Sequence, residues 1–308
     1  MTSLLINSAK IASNSITAHT RNAIVLSSAL SIPIISTAEE IKALSRADYD
    51  TFIIVGAAFY PKTAEIEAWI RAGEVKKIVW INNEYQVSAN SEYARLIKDY
   101  PSLLISNVIE AANKCKGFND FEQVNLNTLV FDCLVRPIEK KYSLVYYGTY
   151  RPGRRLYLQK YLSESDFYLS SSAKNIRKFH QLCGINARFC DSLNWQQQQE
   201  TLNLFNYSLY VEDEYTHTHY NFLANRFYEC LKCNVVQFFD ESCRTTFEQS
   251  GYPISDKYFV NSKAELEYKV ATFDAKQCLS EQFSAWHRLA NYEKKDVMQC
   301  LSALLTNH

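Results

Sequence analysis

Three guanidinium groups meet in the stretch Leu144–Leu162, LVYYGTYRPGRRLYLQKYL, where an apolar run breaks at Gly148 and a helical pattern of Leu and Tyr follows. A strand ending at Tyr147, a glycine turn and a helix starting near Pro152 would aim unpaired backbone N–H groups and the positive end of a helix dipole away from the strand's carboxyl end. Arg151, Arg154 and Arg155 would add forked donors that suit phosphate oxygens. Arginines at that end of a helix are unfavourable by several tenths of a kcal/mol. The conflict points to an anionic ligand, a phosphate or diphosphate, rather than a merely solvated basic helix start. The segment is neither a P-loop, since GK[ST] is missing, nor a GxGxxG turn.

A second constellation lies in Tyr220–Asp240, YNFLANRFYECLKCNVVQFFD, a helical pattern running into an apolar strand. Phe222, Leu223, Phe227, Cys230 and Leu231 form the apolar stripe, which leaves Asn225, Arg226 and Glu229 on other faces. Taken alone, Glu229 reads as a solvated partner of Arg226 or Asn225. A third group, Asn82, Asn83 and Glu84, follows the apolar run Lys77–Ile81 directly and so falls at a strand's carboxyl edge. His19 belongs to the first loop of the same edge. For both Glu84 and His19 the plain alternative is an exposed polar turn.

Other chemistry-bearing residues are set aside. Cys230 and Cys233 make a lone CxxC with no second pair, so two small core residues at a helix end are expected rather than zinc. Asp48-Tyr49-Asp50 imitates a metal-binding DxD but precedes the strand Thr51–Val55, which puts it at the wrong edge. His217 and His219, in a loop beside Glu212, Asp213 and Glu214, suit helix entry or substrate contact better than zinc. No metal site is therefore expected. The nine cysteines are scattered and mostly sit in apolar runs, as reduced thiols of a cytoplasmic protein do. No run of 18 apolar residues occurs, and MTSLLINSAK lacks the pattern of an export signal, so a soluble, non-secreted chain is expected.

These residues need strands and helices to carry them. In 308 residues, 47% of them hydrophobic, two domains of ordinary size can each bury a core. Short apolar runs alternate with helical patterns: Leu4–Ile6, Thr17–Ala29, Ile32–Ile35, a helix from Ala38, Thr51–Val55, Tyr60–Ala72, Lys77–Ile81, Ser91–Lys98, Leu103–Ser106 and Thr128–Asp132. Such alternation is the mark of a parallel sheet covered on both faces. After a linker at Arg136–Lys141 the alternation restarts with strands at Ser143–Tyr147, Phe167–Leu169, Arg188–Asp191, Tyr207–Val211 and Val235–Phe239. Helices are expected between them at Arg154–Leu162, Ala173–Leu182, Gln196–Leu204 and Tyr220–Leu231, and afterwards at Glu281–His287 and Glu293–Leu305. The expected fold class is α/β, two Rossmann-like domains facing a central cleft. Residues 1–140 form the first, 141–280 the second, and 281–308 are C-terminal helices that close the second or cross back to the first.

The strand–glycine–arginine–helix at the head of a second Rossmann-like domain, followed by RFYECL and a buried strand, resembles the sugar-nucleotide half of GT-B glycosyltransferases. More narrowly, KIVWINNEYQVSANSEYARLI, YYGTYRPGRRLYLQKYL and RFYECLKCNVVQFFD look like the phage glycosyltransferases that modify hydroxymethylated DNA bases. The stretch Asn7–Thr20 departs from the wider family in holding no glycine. The resemblance implies transfer of a sugar, with UDP-glucose as donor and no tightly bound cofactor, onto a hydroxymethylated pyrimidine of phage DNA in the host cytoplasm. A glycan, lipid or small molecule is the alternative acceptor, and a non-catalytic nucleotide or nucleic-acid binding protein the alternative class. It further implies that Gly148, Arg151, Arg154, Arg155, Tyr220, Asn221, Arg226 and Glu229 bind the donor, with the arginines on the diphosphate and Glu229 on the ribose hydroxyls. The acceptor's base would be Glu84, with His19 as rival, and the chemistry would be metal-independent or at most metal-stimulated. Lysine plus arginine balances aspartate plus glutamate at 33 each, so a DNA partner would need a local basic patch. The first half offers Lys10, Arg21, Arg71, Lys76, Lys77 and Arg95, interrupted by acids. No membrane partner is expected.

Overall fold

The computed structural model describes residues 3–7, 18–43, 48–56, 68, 71–72, 75–82, 101–105, 109, 121–131, 135–163, 166–185, 187–190 and 201–306. It divides into two compact units, Met1–Val130 with Tyr292–His308, and Phe131–Asn291.

The first unit holds six parallel strands: β1 (Ser3–Asn7), β2 (Ile34–Ile35), β3 (Thr51–Val55), β4 (Lys77–Asn82), β5 (Pro101–Ile105) and β6 (Phe121–Gln123). Their order in the sheet is β2-β1-β3-β4-β5-β6. The run TFIIV is buried at every position because a parallel sheet is covered on both faces. On one face Leu5, Ile53, Val55, Val79 and Ile81 pack under Ala23 and Leu26 of helix α1 (Ala18–Leu30) and under Val297 and Leu301 near the end of the chain. A short helix α2 (Ala38–Ala43) leads into β3.

The second unit is also a six-stranded parallel sheet: β7 (Tyr142–Tyr147), β8 (Tyr168–Ser170), β9 (Arg188–Cys190), β10 (Phe205–Tyr210), β11 (Val236–Asp240) and β12 (Phe259–Val260). Its order, β12-β11-β10-β7-β8-β9, reverses direction between β7 and β10. Ligands of open α/β sheets bind at such a reversal, outside the strands' carboxyl ends. The helices are α3 (Arg155–Leu162), α4 (Ala173–Cys183), α5 (Glu214–His219), α6 (Asn225–Lys232), α7 (Arg244–Ser250), α8 (Lys263–Thr272) and the start of α9 (Ala275–Thr306), whose residues from Tyr292 onward belong to the first unit. Aromatic rings fill this core: Phe227 meets Phe247, Tyr252 and Trp286 at centroid distances of 5.8, 5.0 and 4.9 Å.

Four details differ from the expected elements. The anticipated strand Thr128–Asp132 is instead a buried 3-10 turn, Leu126–Val130, and β6 is the sixth strand of that sheet. Thr128 donates both its N–H and its hydroxyl to the Asn125 carbonyl, at 3.2 and 2.7 Å, which closes the chain into a turn. The helix expected from Tyr220 begins at Asn225, because the Ala224 N–H is taken by the Tyr210 hydroxyl at 2.8 Å. His217 and His219 lie on α5, not in a loop, since Asp213 caps that helix by accepting from the Thr216 N–H at 3.0 Å. The two C-terminal helices are one, α9, for no glycine or proline interrupts Ala275–Thr306. The helices expected at Tyr60–Ala72, Ser91–Lys98 and Gln196–Leu204 fall wholly or mostly outside the described residues. Among the described residues no helix is long and apolar enough to cross a membrane.

Candidate active site

The carboxyl ends of β7 and β10 flank the reversal of the second sheet, and the residues that follow them build the site. Gly148, directly after β7, has φ +144°, a backbone conformation that a side chain would strain. Its N–H donates to the Ser170 carbonyl at 3.2 Å and its own carbonyl accepts from the Ser171 hydroxyl at 2.6 Å. A Cβ at this position would lie 3.0 Å from a terminal nitrogen of Arg226. The glycine therefore serves two needs at once: the turn itself, and room for a guanidinium beside the backbone.

Arg226 enters from the first turn of α6. Its Nη2 donates to the Val211 carbonyl at 2.7 Å and to Glu212, while Tyr146 and Tyr210 rings lie 5.8 and 5.4 Å from its guanidinium carbon. Tyr147 reinforces the join by donating its hydroxyl to the Arg226 carbonyl at 3.0 Å. The Arg226 Nε is buried and has no hydrogen-bond partner. A buried donor left in that state is costly unless something fills the space beside it.

Glu212 is the centre of the charge network. It is fully buried and pairs with Arg154 on one side and Arg226 on the other. Burial alone would push its carboxyl up, but the Arg154 and Arg226 guanidiniums outweigh that and hold it below the usual carboxylate range. Asp213 is ion-paired with Arg154, its carboxylate 3.2 Å from the Nε without hydrogen-bond geometry, and lies 3.6 Å from the Arg151 Nη1; the close approach of its Cβ crowds any side chain at Gly153.

The three loop arginines thus have three different situations. Arg154, expected on a diphosphate, is buried and committed to Glu212 and Asp213, so the protein itself supplies the anion that its place at a helix start demands. Arg151 is half exposed, with a side-chain exposure of 53%, and only loosely held by Asp213. Arg155 is exposed on the first turn of α3.

Glu229 lies three residues beyond Arg226 and is buried, so it is not the solvated partner of Arg226 or Asn225 that the sequence suggests. Arg226 pairs with Glu212. Tyr220 is buried beside Phe222, at a centroid distance of 4.8 Å, and Asn221 and Asn225 each hold a buried side-chain oxygen without a partner. Two unfilled acceptors and one unfilled donor are therefore set around the start of α6, the chemistry a hydroxyl-rich anionic ligand would complete.

The remaining expectations divide. Asp48 and Asp50 precede β3, and the Asp50 carbonyl accepts from the Lys76 N–H at 2.7 Å, so this pair is at the amino edge. Cys230 and Cys233 are free and buried, and burial pushes the Cys230 thiol up to about 12. Asn82 ends β4 and is buried, whereas Asn83 and Glu84 lie outside the described residues. His19 is the second residue of α1 rather than a loop residue. Of the basic patch expected in the first unit, Arg21 is buried, Arg71 is exposed, Lys76 and Lys77 stand at the amino end of β4, and Lys10 and Arg95 lie outside the described residues. Glu212 and Asp213 were the missed residues of the site. Their signal was present: acids directly after an expected strand, at the edge where unpaired arginines need them.

No protein-family model and no curated protein matches the sequence. Solved structures do match the fold over its full length. The DNA modifying enzyme beta-glucosyltransferase aligns with a TM-score of 0.71 at 16% identity, covering 99% of each chain. A point mutant of T4 phage BGT in complex with UDP-glucose reaches 0.73 at 15% identity, covering 100% of both, and a T4 phage beta-glucosyltransferase reaches 0.70 at 15%. An alpha-glucosyltransferase in complex with UDP-glucose and DNA containing an abasic site aligns at 0.52 and 11% identity, covering 97% of this chain and 94% of that one. The chain has the GT-B fold, two Rossmann-like units in one polypeptide.

Proposed function

We propose that this protein is a glycosyltransferase that moves glucose from UDP-glucose onto the hydroxyl of a hydroxymethylated pyrimidine in DNA. One observation carries the proposal: at the reversal of the second sheet, a buried arginine with an unfilled donor lies against a glycine turn, one helical turn from a buried glutamate. Arg226, with Arg151 and Arg155 at the rim, would neutralise the diphosphate. Glu229 would accept the two ribose hydroxyls, a bidentate task that suits a carboxylate. Asn221 and Asn225 offer acceptors to the remaining donor hydroxyls, and Tyr220 borders them. Arg154 and Glu212 do not touch the donor in this arrangement; they hold Arg226 and the loop in place.

In the reaction the acceptor hydroxyl gives up its proton to a base as its oxygen bonds to the anomeric carbon. The bond from that carbon to the diphosphate oxygen breaks, and the negative charge that develops on the leaving group falls on the arginines. Glu84, following β4, is the proposed base, and His19 its rival. A solved neighbour is in complex with UDP and Mn2+. Among the described residues no three His, Cys, Asp or Glu side chains gather to hold a metal, and Glu212 and Asp213 are occupied by arginines. The described residues do not fit a protein-held ion, and no step is assigned to one.

The likeness to a glycosyltransferase of avilamycin A biosynthesis, TM-score 0.54 at 9% identity, favours a small-molecule acceptor as second reading. Two measurements separate these. UDP-glucose should raise the thermal midpoint of the native protein and fail to do so for Arg226→Ala and Glu229→Ala; no shift with any nucleotide sugar sinks the donor site. Glucose transfer to duplex DNA carrying hydroxymethylated bases, and none to unmodified DNA, would support the acceptor. Turnover on small hydroxyl compounds alone would move the assignment to the second reading. Glu84→Gln should lower kcat by at least about 100-fold, and unchanged turnover removes Glu84 as the base.

A further inference from the structure

Helix α4 carries Lys174, Arg177 and Lys178 and no acidic residue. Their spacing, i, i+3 and i+4, puts all three on one face. Lys174 and Arg177 are exposed, and Lys178 is half buried with its Nζ 5.9 Å from the Tyr150 ring centre. None of the three pairs with a carboxylate among the described residues. Helix α8 is handled differently: there Lys263 pairs with Glu267 and Lys269 with Glu265. In a chain whose charges balance at 33 against 33, three uncompensated cations on one helical face are a local exception.

Their place is as informative as their charge. Helix α4 follows the carboxyl end of β8, and its Asn175 side chain accepts from the Tyr150 N–H at 3.3 Å, in the same loop as Gly148 and Arg151. The cationic face therefore starts beside the proposed donor site and leads away from it. Lys174 and Lys178 are about 6 Å apart along the helix axis, comparable to the rise of roughly 7 Å along the duplex axis that two successive nucleotides of one strand cover.

We propose that Lys174, Arg177 and Lys178 form a phosphate-contacting surface for duplex DNA, holding the acceptor's backbone beside the donor loop. The class of the partner rests on the DNA-acceptor function proposed above. The surface reads no sequence; it supplies salt-sensitive affinity and register.

The test is fluorescence anisotropy with a short unmodified duplex and no nucleotide sugar, across a salt series. The triple variant Lys174→Gln, Arg177→Gln, Lys178→Gln should bind at least roughly tenfold more weakly at low salt. The slope of log affinity against log salt should flatten by about 2.7, since each lost phosphate contact removes about 0.9. Lys263→Gln, at a paired lysine, should change neither. The UDP-glucose thermal shift of the triple variant should equal that of the native protein. Should the triple variant fold poorly, the single variants Lys174→Gln and Arg177→Gln should each flatten the slope by about 0.9. An unchanged slope, or no salt-dependent duplex binding by the native protein, overturns the proposal, and binding only to an acidic polypeptide does the same. Failure of the donor panel with retained, stripe-dependent DNA binding would sink the glycosyltransferase reading and leave this surface standing.

Discussion

Two charged clusters sit on the same edge of the second sheet, and they differ in how completely they are satisfied. At the end of β11, Asp240 accepts from the Ser242 N–H at 2.9 Å, from Lys160 at 3.2 Å and from the Tyr161 hydroxyl. Lys160 also reaches Asn261 at 3.1 Å, and the Tyr161 hydroxyl lies 2.7 Å from the Val260 carbonyl. Every polar group there has a partner, so the cluster is a latch that ties α3 to the ends of β11 and β12. At the reversal between β7 and β10, the Arg226 Nε, the Arg154 Nε and the oxygens of Asn221 and Asn225 have no hydrogen-bond partner among the described residues. Buried charge and acid–base pairing are common to both clusters. Unfilled hydrogen-bonding capacity is what separates a place that binds from one that holds.

Substitution at the centre of each cluster should separate the two roles, with the largest effect at Glu212. Glu212→Gln leaves Arg154 and Arg226 buried without their shared counter-charge, which should cost about 3–5 kcal/mol in denaturant unfolding and abolish the UDP-glucose shift. Retained donor binding at that cost would break the link between the network and the site. Asp240→Asn should lose about 1–3 kcal/mol while the midpoint still rises on adding UDP-glucose, because the latch does not touch the donor. Both carboxyls are held below their ordinary range: burial raises them, and for Asp240 the Ser242, Tyr161 and Lys160 contacts outweigh it. Their stabilising contribution is therefore complete above the ordinary carboxylate range and is lost as pH falls below it, through the depressed folded values. The pH-unfolding profile of each variant should be flatter than the native one in that acidic window.

The smallest effect is expected at the opposite edge of the sheet. Burial lowers the Lys140 amine to about 8 from the usual 10.5, and its Nζ donates to Asn203 at 3.0 Å and to the Cys233 carbonyl at 3.3 Å. A lysine depressed in the folded state favours folding more as pH rises from about 8 toward 10.5. Lys140→Met should remove that rise and change stability at neutral pH by about 1 kcal/mol or less, given partial solvent screening. Donor and DNA binding should be untouched; a change in either would blur the distinction between the two edges.

Much of the frame was legible because strand burial writes itself into composition. TFIIV and KIVWI could only be buried parallel strands, and β3 begins and ends where the apolar run does. Gly148 was legible from its place at the end of an apolar run. Less visible were the elements decided by contacts distant in sequence. The Asn125–Thr128 turn replaces a strand through hydrogen bonds that periodicity does not encode, and the Tyr210 hydroxyl delays the start of α6 from the far side of a loop. The Arg226–Glu212 pair was not legible for the same reason: 14 residues of chain separate two side chains that meet in space.

The sequence by itself determined two parallel α/β sheets, a glycine turn with arginines at the head of the second, and a chain with no overall charge bias. These follow from local pattern and composition, which act over a few residues. The tertiary structure alone decided which cations are free. Arg154 and Arg226 were drawn into a buried network by Glu212, while Lys174, Arg177 and Lys178 have no carboxylate partner among the described residues. Ion pairing depends on distances of a few ångströms between residues far apart in the chain, and only the folded sheet, with its reversal between β7 and β10, brings those distances into being.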